Sequence, residues 1–169
     1  MNIPQGSLTH QAQTNVEISQ ILVPIFLCLV WSAQILPKSV FEWLFKQFVL
    51  GFKLDQAFLD QYTVFQEDKY QWCDIFPNPW VELKLCFWLP GQGSLAHDHA
   101  DSRNFTKVVK GKMTARLYKV KKSELIVISE EEVEPNQVLG VERHQVHELI
   151  NLGTDPCITF HCYCPRRPE

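Results

Sequence analysis

The chain has 169 residues, 46% of them hydrophobic and 21% charged, a balance that excludes a disordered, collagen-like or multi-span membrane protein and suits one well-buried core. Its 16 basic and 19 acidic residues leave a net charge of -3, so there is no electrostatic case for a nucleic acid or an anionic membrane as partner. Small molecules and proteins remain, and the unusual counts are six Cys and six His.

In chain order, the first distinctive stretch is the apolar run from Ile21 to Leu36. It is 16 residues long and holds Pro24, Ser32 and Gln34, which is short of the roughly 18 to 20 residues that span a bilayer. The first Lys or Arg is Lys38, so the basic start of a secretory signal is missing. A buried N-terminal helix or a partner-binding segment is expected here. Next, Ser39-Val-Phe-Glu42 forms a capping box. Val40, Phe41, Leu44, Phe45, Phe48 and Val49 make one helical stripe, and Gly51 stands where a C-cap belongs. A second helix is expected over 54–65, with Leu54, Phe58, Tyr62 and Phe65 on one face.

After about residue 70 the pattern turns to short β-type runs: 80–89, 105–110, 112–120, 125–128, 138–141 and 158–164. Breaks at Pro90-Gly91, Lys110-Gly111, Pro135-Asn136, Gly140 and Asn151-Leu-Gly153 separate them. Period 2 is clear at Val81, Leu83, Leu85 and Phe87, which alternate with Glu82 and Lys84. The expected fold is mainly β, a small jelly-roll barrel preceded by α-helices that cover one end or one open edge. A single domain is expected over 1–169, with a helical region at 1–69 and the barrel at 70–165. Cys28, Cys73, Cys86, Cys157, Cys162 and Cys164 lack the paired spacing of a stapled domain or a zinc site. They read as reduced thiols, which suits a cytoplasmic protein.

His97-Asp98-His99 follows the turn at Pro90. On a strand, period 2 would point both imidazoles to one face, which is half of a metal site. The spacing Gly91-(five residues)-His97-x-His99-(four residues)-Asn104-(six residues)-Gly111 resembles the first motif of the cupins, with Asn104 where many members carry a Glu. His147-Glu-Leu-Ile-Asn151 resembles the end of their second motif. The resemblance implies a cupin barrel with His97, His99 and His147 as three metal ligands. His144 is left as a surface or supporting residue.

Two further stretches narrow the resemblance. Thr159, His161 and Tyr163 fall on one face of a strand ending Tyr163-Cys-Pro165, which resembles the Ser-x-His-x-Tyr-Ser-Pro signature of the cysteine dioxygenase family. His97-Asp-His99-Ala-Asp-Ser102 is similar to that family's HDHxDS segment. The likeness covers about 70–165. It implies a non-heme iron thiol dioxygenase that uses O2 to convert a small, cysteine-like thiol to its sulfinic acid. Iron(II) would sit on the three His residues, with Tyr163 near the metal and His161 and Thr159 orienting Tyr163. A thiol and O2 are the implied partners, with no nucleic acid or membrane, and a monomer is expected.

Two departures stand out. Mammalian members cross-link a Cys to the active-site Tyr, and Asn104 occupies that place. Where the family carries a Tyr-x-Arg element for the substrate carboxylate, this chain reads Tyr70-Gln71-Trp72. Gln71 could serve as the Gln does in mercaptopropionate dioxygenases, Arg103 or Arg143 could supply the charge, or the thiol could differ. A 3-mercaptopropionate-type dioxygenase is therefore an alternative. A non-catalytic metal-binding cupin acting as a ligand sensor and a zinc-dependent isomerase or hydrolase are the others.

Overall fold

The computed structural model describes residues 36–76 and 81–167, so all but Leu36 of the apolar 21–36 run lies outside the described residues, as do Trp80 and His10. The first described helix, α1 (Lys38–Gly51), begins one residue before the expected capping box. Pro37 is its N-cap and no side chain caps it. The reason is that the Pro37 carbonyl already accepts from the amides of Val40 (3.0 Å) and Phe41 (3.1 Å), which draws Ser39 into the first turn. At the other end Gly51 is the last helical residue rather than the cap. Phe52 turns to extended backbone and its amide closes onto Phe48 and Val49.

Helix α2 (Gln56–Tyr62) is shorter than expected because its ends are fixed chemically. Asp55 accepts from the Phe58 amide at 2.8 Å, an N-cap. At the C-terminus Thr63 bonds the Leu59 carbonyl through both its amide and its hydroxyl, competing with further helix. The stripe Leu54, Phe58, Tyr62 and Phe65 packs against the core as expected.

Eight strands follow: β1 (Gln71–Phe76), β2 (Glu82–Trp88), β3 (Arg103–Lys110), β4 (Met113–Lys121), β5 (Glu124–Val133), β6 (Val138–Val141), β7 (His147–Ile150) and β8 (Cys157–Cys164). They form a five-stranded sheet, β1-β2-β8-β3-β6, and a three-stranded sheet, β5-β4-β7. All the paired strands run antiparallel. Strands β1 and β7 are additions to the sequence reading. Each is short and interrupted by polar residues, Gln71 and Asp74 in β1 and His147 and Glu148 in β7, so neither makes a long apolar run.

Strands β2 and β8 of the large sheet are buried on both faces, and two cores result. On the outer face, Leu83, Leu85 and Phe87 of β2 and Ile158, Phe160 and Cys162 of β8 meet Phe41, Phe45 and Val49 of α1. Phe52 stacks on Phe160 at 4.7 Å and Phe45 lies 4.9 Å from Phe105, contacts worth about 0.5–1.5 kcal/mol each beyond burial. The Lys107 ammonium donates to the carbonyls of Leu50 (2.9 Å) and Phe52 (3.1 Å), tying the end of α1 to the sheet. Inside the barrel, Cys86, Trp88, Val108, Met113, Leu149 and Cys157 form the second core. The inward face of β2 also carries Glu82 and Lys84, both buried. The alternation in β2 therefore separates two interiors rather than core from solvent. Strand β5 is the contrast: Leu125 to Ile128 are exposed at the edge of the small sheet.

Candidate metal centre and its cavity

The segment after β2 is not a regular strand, but it is laced to β7. The amides of Gly91 and Ser94 donate to the carbonyls of Asn151 and Leu149, both at 2.8 Å. His97 and His147 exchange backbone hydrogen bonds at 2.9 and 2.8 Å. Gly93 permits this approach, since a Cβ there would stand 2.9 Å from the Leu149 carbonyl oxygen and 3.0 Å from Ile150. The extended segment retains period 2, and His97 and His99 converge on His147.

The ligating nitrogens of these three residues lie within 4.8 Å of one another, the one such group of His, Cys, Asp or Glu among the described residues. His99 Nε2 is 2.8 Å from His147 Nε2. The Leu95 carbonyl, which can only accept, lies 2.7 Å from His97 Nδ1, so Nδ1 carries the proton and Nε2 keeps its lone pair. Burial, aided by the neighbouring imidazoles, pushes His99 and His147 down to about 3, so both are neutral at pH 7. Three convergent imidazoles with no carboxylate among them are a donor set that fits a divalent first-row transition metal. His144 stays outside, exposed and 3.3 Å from Asp101.

Strand β8 places Thr159, His161 and Tyr163 on the inward face beside this group. The Tyr163 ring is 4.9 Å from that of His99. A directed chain of hydrogen bonds fixes His161. Trp88 Nε1 donates to Thr159 Oγ1 at 2.8 Å, and Thr159 Oγ1 lies 2.8 Å from His161 Nε2. On the other side of the ring, Thr106 Oγ1 donates to Asn104 Oδ1 at 2.6 Å, so it accepts from His161 Nδ1 at 3.0 Å. His161 is thus the Nδ1–H tautomer, with Nε2 accepting from Thr159. Burial holds its imidazole well below its ordinary pKa. Tyr163 Oη is 3.3 Å from the same Nδ1. It therefore accepts there, and its own O–H is free to turn into the cavity. Asn104 pairs across the sheet with Tyr163, and its amide Nδ2 is buried.

A cavity of about 200 Å³ opens between the His group and β1, lined by Tyr70, Trp72, Lys84, Trp88, Tyr163 and Arg167 among others. Of the residues expected to contact substrate, Tyr70 and Trp72 line it. Tyr70 stacks on Trp88 at 4.1 Å. Gln71 and Arg103 do not line it, and register explains both. Gln71 pairs with Phe87 and Arg103 with Cys164, both outer-core residues, so a one-residue step turns each to the far face. Gln71 donates to Gln66 at 2.9 Å. Arg103 pairs with Glu142 at 3.5 Å and lies over the Phe41 ring.

The cavity's cations come from residues the sequence reading did not single out. Lys84 lies 2.7 Å from Glu82, 3.5 Å from Asp74 and 3.8 Å from the centre of the Trp72 ring. Arg167 grips Glu82 with two hydrogen bonds, Nε at 2.9 Å and Nη2 at 2.8 Å, and its guanidinium covers the Tyr163 ring at 4.0 Å. Burial raises the Glu82 carboxyl, but these hydrogen bonds outweigh it and bring the group down to about 2. The Ser102 hydroxyl holds the Pro165 carbonyl at 2.6 Å, which fixes where the tail leaves β8. The signal in the sequence was Arg166-Arg167 just after the family signature ends.

A double-sheet barrel of this kind, with helices on the outer face of the larger sheet, is a cupin. It matches a protein of Thermus thermophilus over 64% of this chain and 94% of the other (TM-score 0.56, 18% identity). It also matches an uncharacterized conserved protein with a double-stranded beta-helix domain from Klebsiella pneumoniae (TM-score 0.55, 18% identity, 63% and 81% covered). A cupin domain from Schizosaccharomyces pombe is similar at a TM-score of 0.51 and 10% identity, with 61% and 69% covered. Within that class the family is shown by sequence: residues 38–169 match the family model for cysteine dioxygenase type I, and the chain belongs to that family. Cysteine dioxygenase type 1 of Rattus norvegicus is 32% identical over 93 residues, 52% of this chain and 46% of the relative. The Homo sapiens protein of that name is 30% identical over the same shares. The chain thus spans about half the length of the curated relatives it matches.

Proposed function

We propose that the chain is an iron(II)-dependent thiol dioxygenase that converts a small thiol to its sulfinic acid. The observation that carries this reading is a set of three convergent imidazoles, one of them His99 against the Tyr163 ring, at a cavity only large enough for a small molecule. Iron(II) on His97, His99 and His147 would supply a site for the thiolate and for activation of O2. The reaction balances without a further reductant: both oxygen atoms pass to sulfur, which is oxidised by four electrons as O2 is reduced.

This chain's own residues then have defined tasks. Burial raises the Tyr163 phenol far above its usual pKa, so Tyr163 serves as a neutral O–H donor to oxygen or sulfur in the cavity. His161 positions it, and Thr159 and Thr106 fix the tautomer that does so. Trp88, Tyr70 and Leu149 give the cavity apolar walls that exclude water and strengthen polar contacts within it.

The test is isotopic. After anaerobic loading with iron(II), reaction with labelled dioxygen should place two labelled oxygens in the sulfinate, as read by mass spectrometry. A folded, iron-loaded protein that forms disulfide and peroxide but no sulfinate would contradict the reading.

A further inference from the structure

The family's carboxylate-binding Arg position falls here on Trp72, yet the cavity is not without a guanidinium. We propose that Arg167, braced by Glu82 and laid over Tyr163, is the residue that anchors the anionic end of the ligand in this cavity. The inference rests on the thiol-binding reading of the His centre.

Among the described residues lining the cavity the cations besides His are Lys84 and Arg167. Lys84 is fully engaged by Glu82, Asp74 and the Trp72 ring, so it has little left to offer a ligand. Arg167 spends Nε and Nη2 on Glu82, which leaves Nη1 for a second acceptor, and the two bonds to Glu82 fix the plane of the fork. Glu82 is therefore a brace more than a competitor. It faces Tyr163 across the strand pair, and its charge is also met by Lys84. The Tyr163 ring touches Arg167 on one side at 4.0 Å and His99 on another at 4.9 Å. The guanidinium and the His centre are thus separated by one aromatic ring, a span that a thiol with its carboxylate a few bonds away can bridge. Trp72, half-exposed, closes the β1 side and pins Lys84 by a cation–π contact. The charge has moved from the first strand to the tail after β8, on the same cavity.

The experiment measures binding without turnover. With the full chain loaded with iron(II) and kept free of oxygen, dissociation constants for cysteine, 3-mercaptopropionate and cysteamine are read from tryptophan fluorescence, since Trp72 and Trp88 line the cavity. Arg167→Met should weaken both carboxylate thiols by about 10- to 100-fold and cysteamine by less than about 3-fold. Arg167→Lys should fall between, and Arg103→Met should match the wild type. Because Arg167→Met leaves the buried Glu82 carboxylate with Lys84 as its one remaining partner among the described residues, the double variant Glu82→Gln with Arg167→Met removes both halves of the Arg167–Glu82 pair and should show the same selective loss. Wild-type affinity for 3-mercaptopropionate in both variants, an equal loss for cysteamine, or a wild type that binds neither carboxylate thiol would overturn the anchor. A wild type that binds them selectively through Arg167 and yet takes up no oxygen when air is readmitted would leave the anchor standing and overturn the dioxygenase proposal.

Discussion

Tyr163 is oriented by a hydrogen-bonded network with one consistent direction. Trp88 can only donate and Asn104 Oδ1 can only accept, and between these two ends the hydroxyls of Thr159 and Thr106 have one consistent direction. Thr106→Val removes the nearer of the two acceptors on His161 Nδ1. Its expected result is a roughly 10-fold fall in kcat with KM for the thiol unchanged, together with a displaced pH–rate profile, which a loss of packing alone would not produce. For the ligands, His147→Ala should abolish iron binding and His144→Ala should spare it, measured by metal analysis after loading. Glu82 gives a prediction on stability. Its folded pKa of about 2 lies below the unfolded value, so its stabilisation is complete above about pH 4.5 and is lost as the pH falls toward 2. Thermal melts of Glu82→Gln should be flatter than those of the wild type across that window. The His ligands were legible because their spacing in sequence is their spacing in space. Arg167 was not, because its approach depends on how the chain turns after Pro165, which no periodicity encodes.

Period 2 does most of the work among the elements. On β8, one residue in two serves the outer core and the next serves the site: Ile158, Phe160 and Cys162 against Thr159, His161 and Tyr163. The sequence showed this alternation, and with it the pairing of Tyr163 with His161. The alternation on β2 was equally visible, but Glu82 and Lys84 were not recognisable as interior, since charges on a strand ordinarily mark a solvent face and only the second sheet and the Arg167 brace reverse that. Gln71 and Arg103 fail as cavity residues for the same reason: face is set by register, and register is set by the partner strand. Two element-scale variants check this account. Phe45→Ala, at a fully buried position that joins α1 to β3, should cost about 3–5 kcal/mol in denaturant unfolding. Gly93→Ala should push the His97 segment off β7, since the new methyl meets the Leu149 carbonyl. Weaker iron binding with the barrel still folded, as judged by circular dichroism, is the expected outcome.

The molecule as a whole is two cores sharing one sheet. Helices α1 and α2 seal the outer core, and the small sheet seals the inner one, at whose open end the His group and Arg167 face each other across Tyr163. None of the described helices is long and apolar enough to cross a membrane. The mainly β barrel with a helical lead-in was readable from the change of pattern near residue 70, because short apolar runs separated by turn residues have few other solutions. The position of the helices was less so, as the broad apolar stripe of α1 fits any apolar face. The central claim is that this barrel oxidises a small thiol at its three-His centre. The most direct measurement is oxygen uptake by the iron(II)-loaded full chain against 3-mercaptopropionate, cysteine and cysteamine, with the product quantified. The account predicts one O2 consumed per sulfinate formed from a carboxylate-bearing thiol, with none by His147→Ala; a folded, iron-loaded protein that consumes no oxygen with any of the three would contradict it.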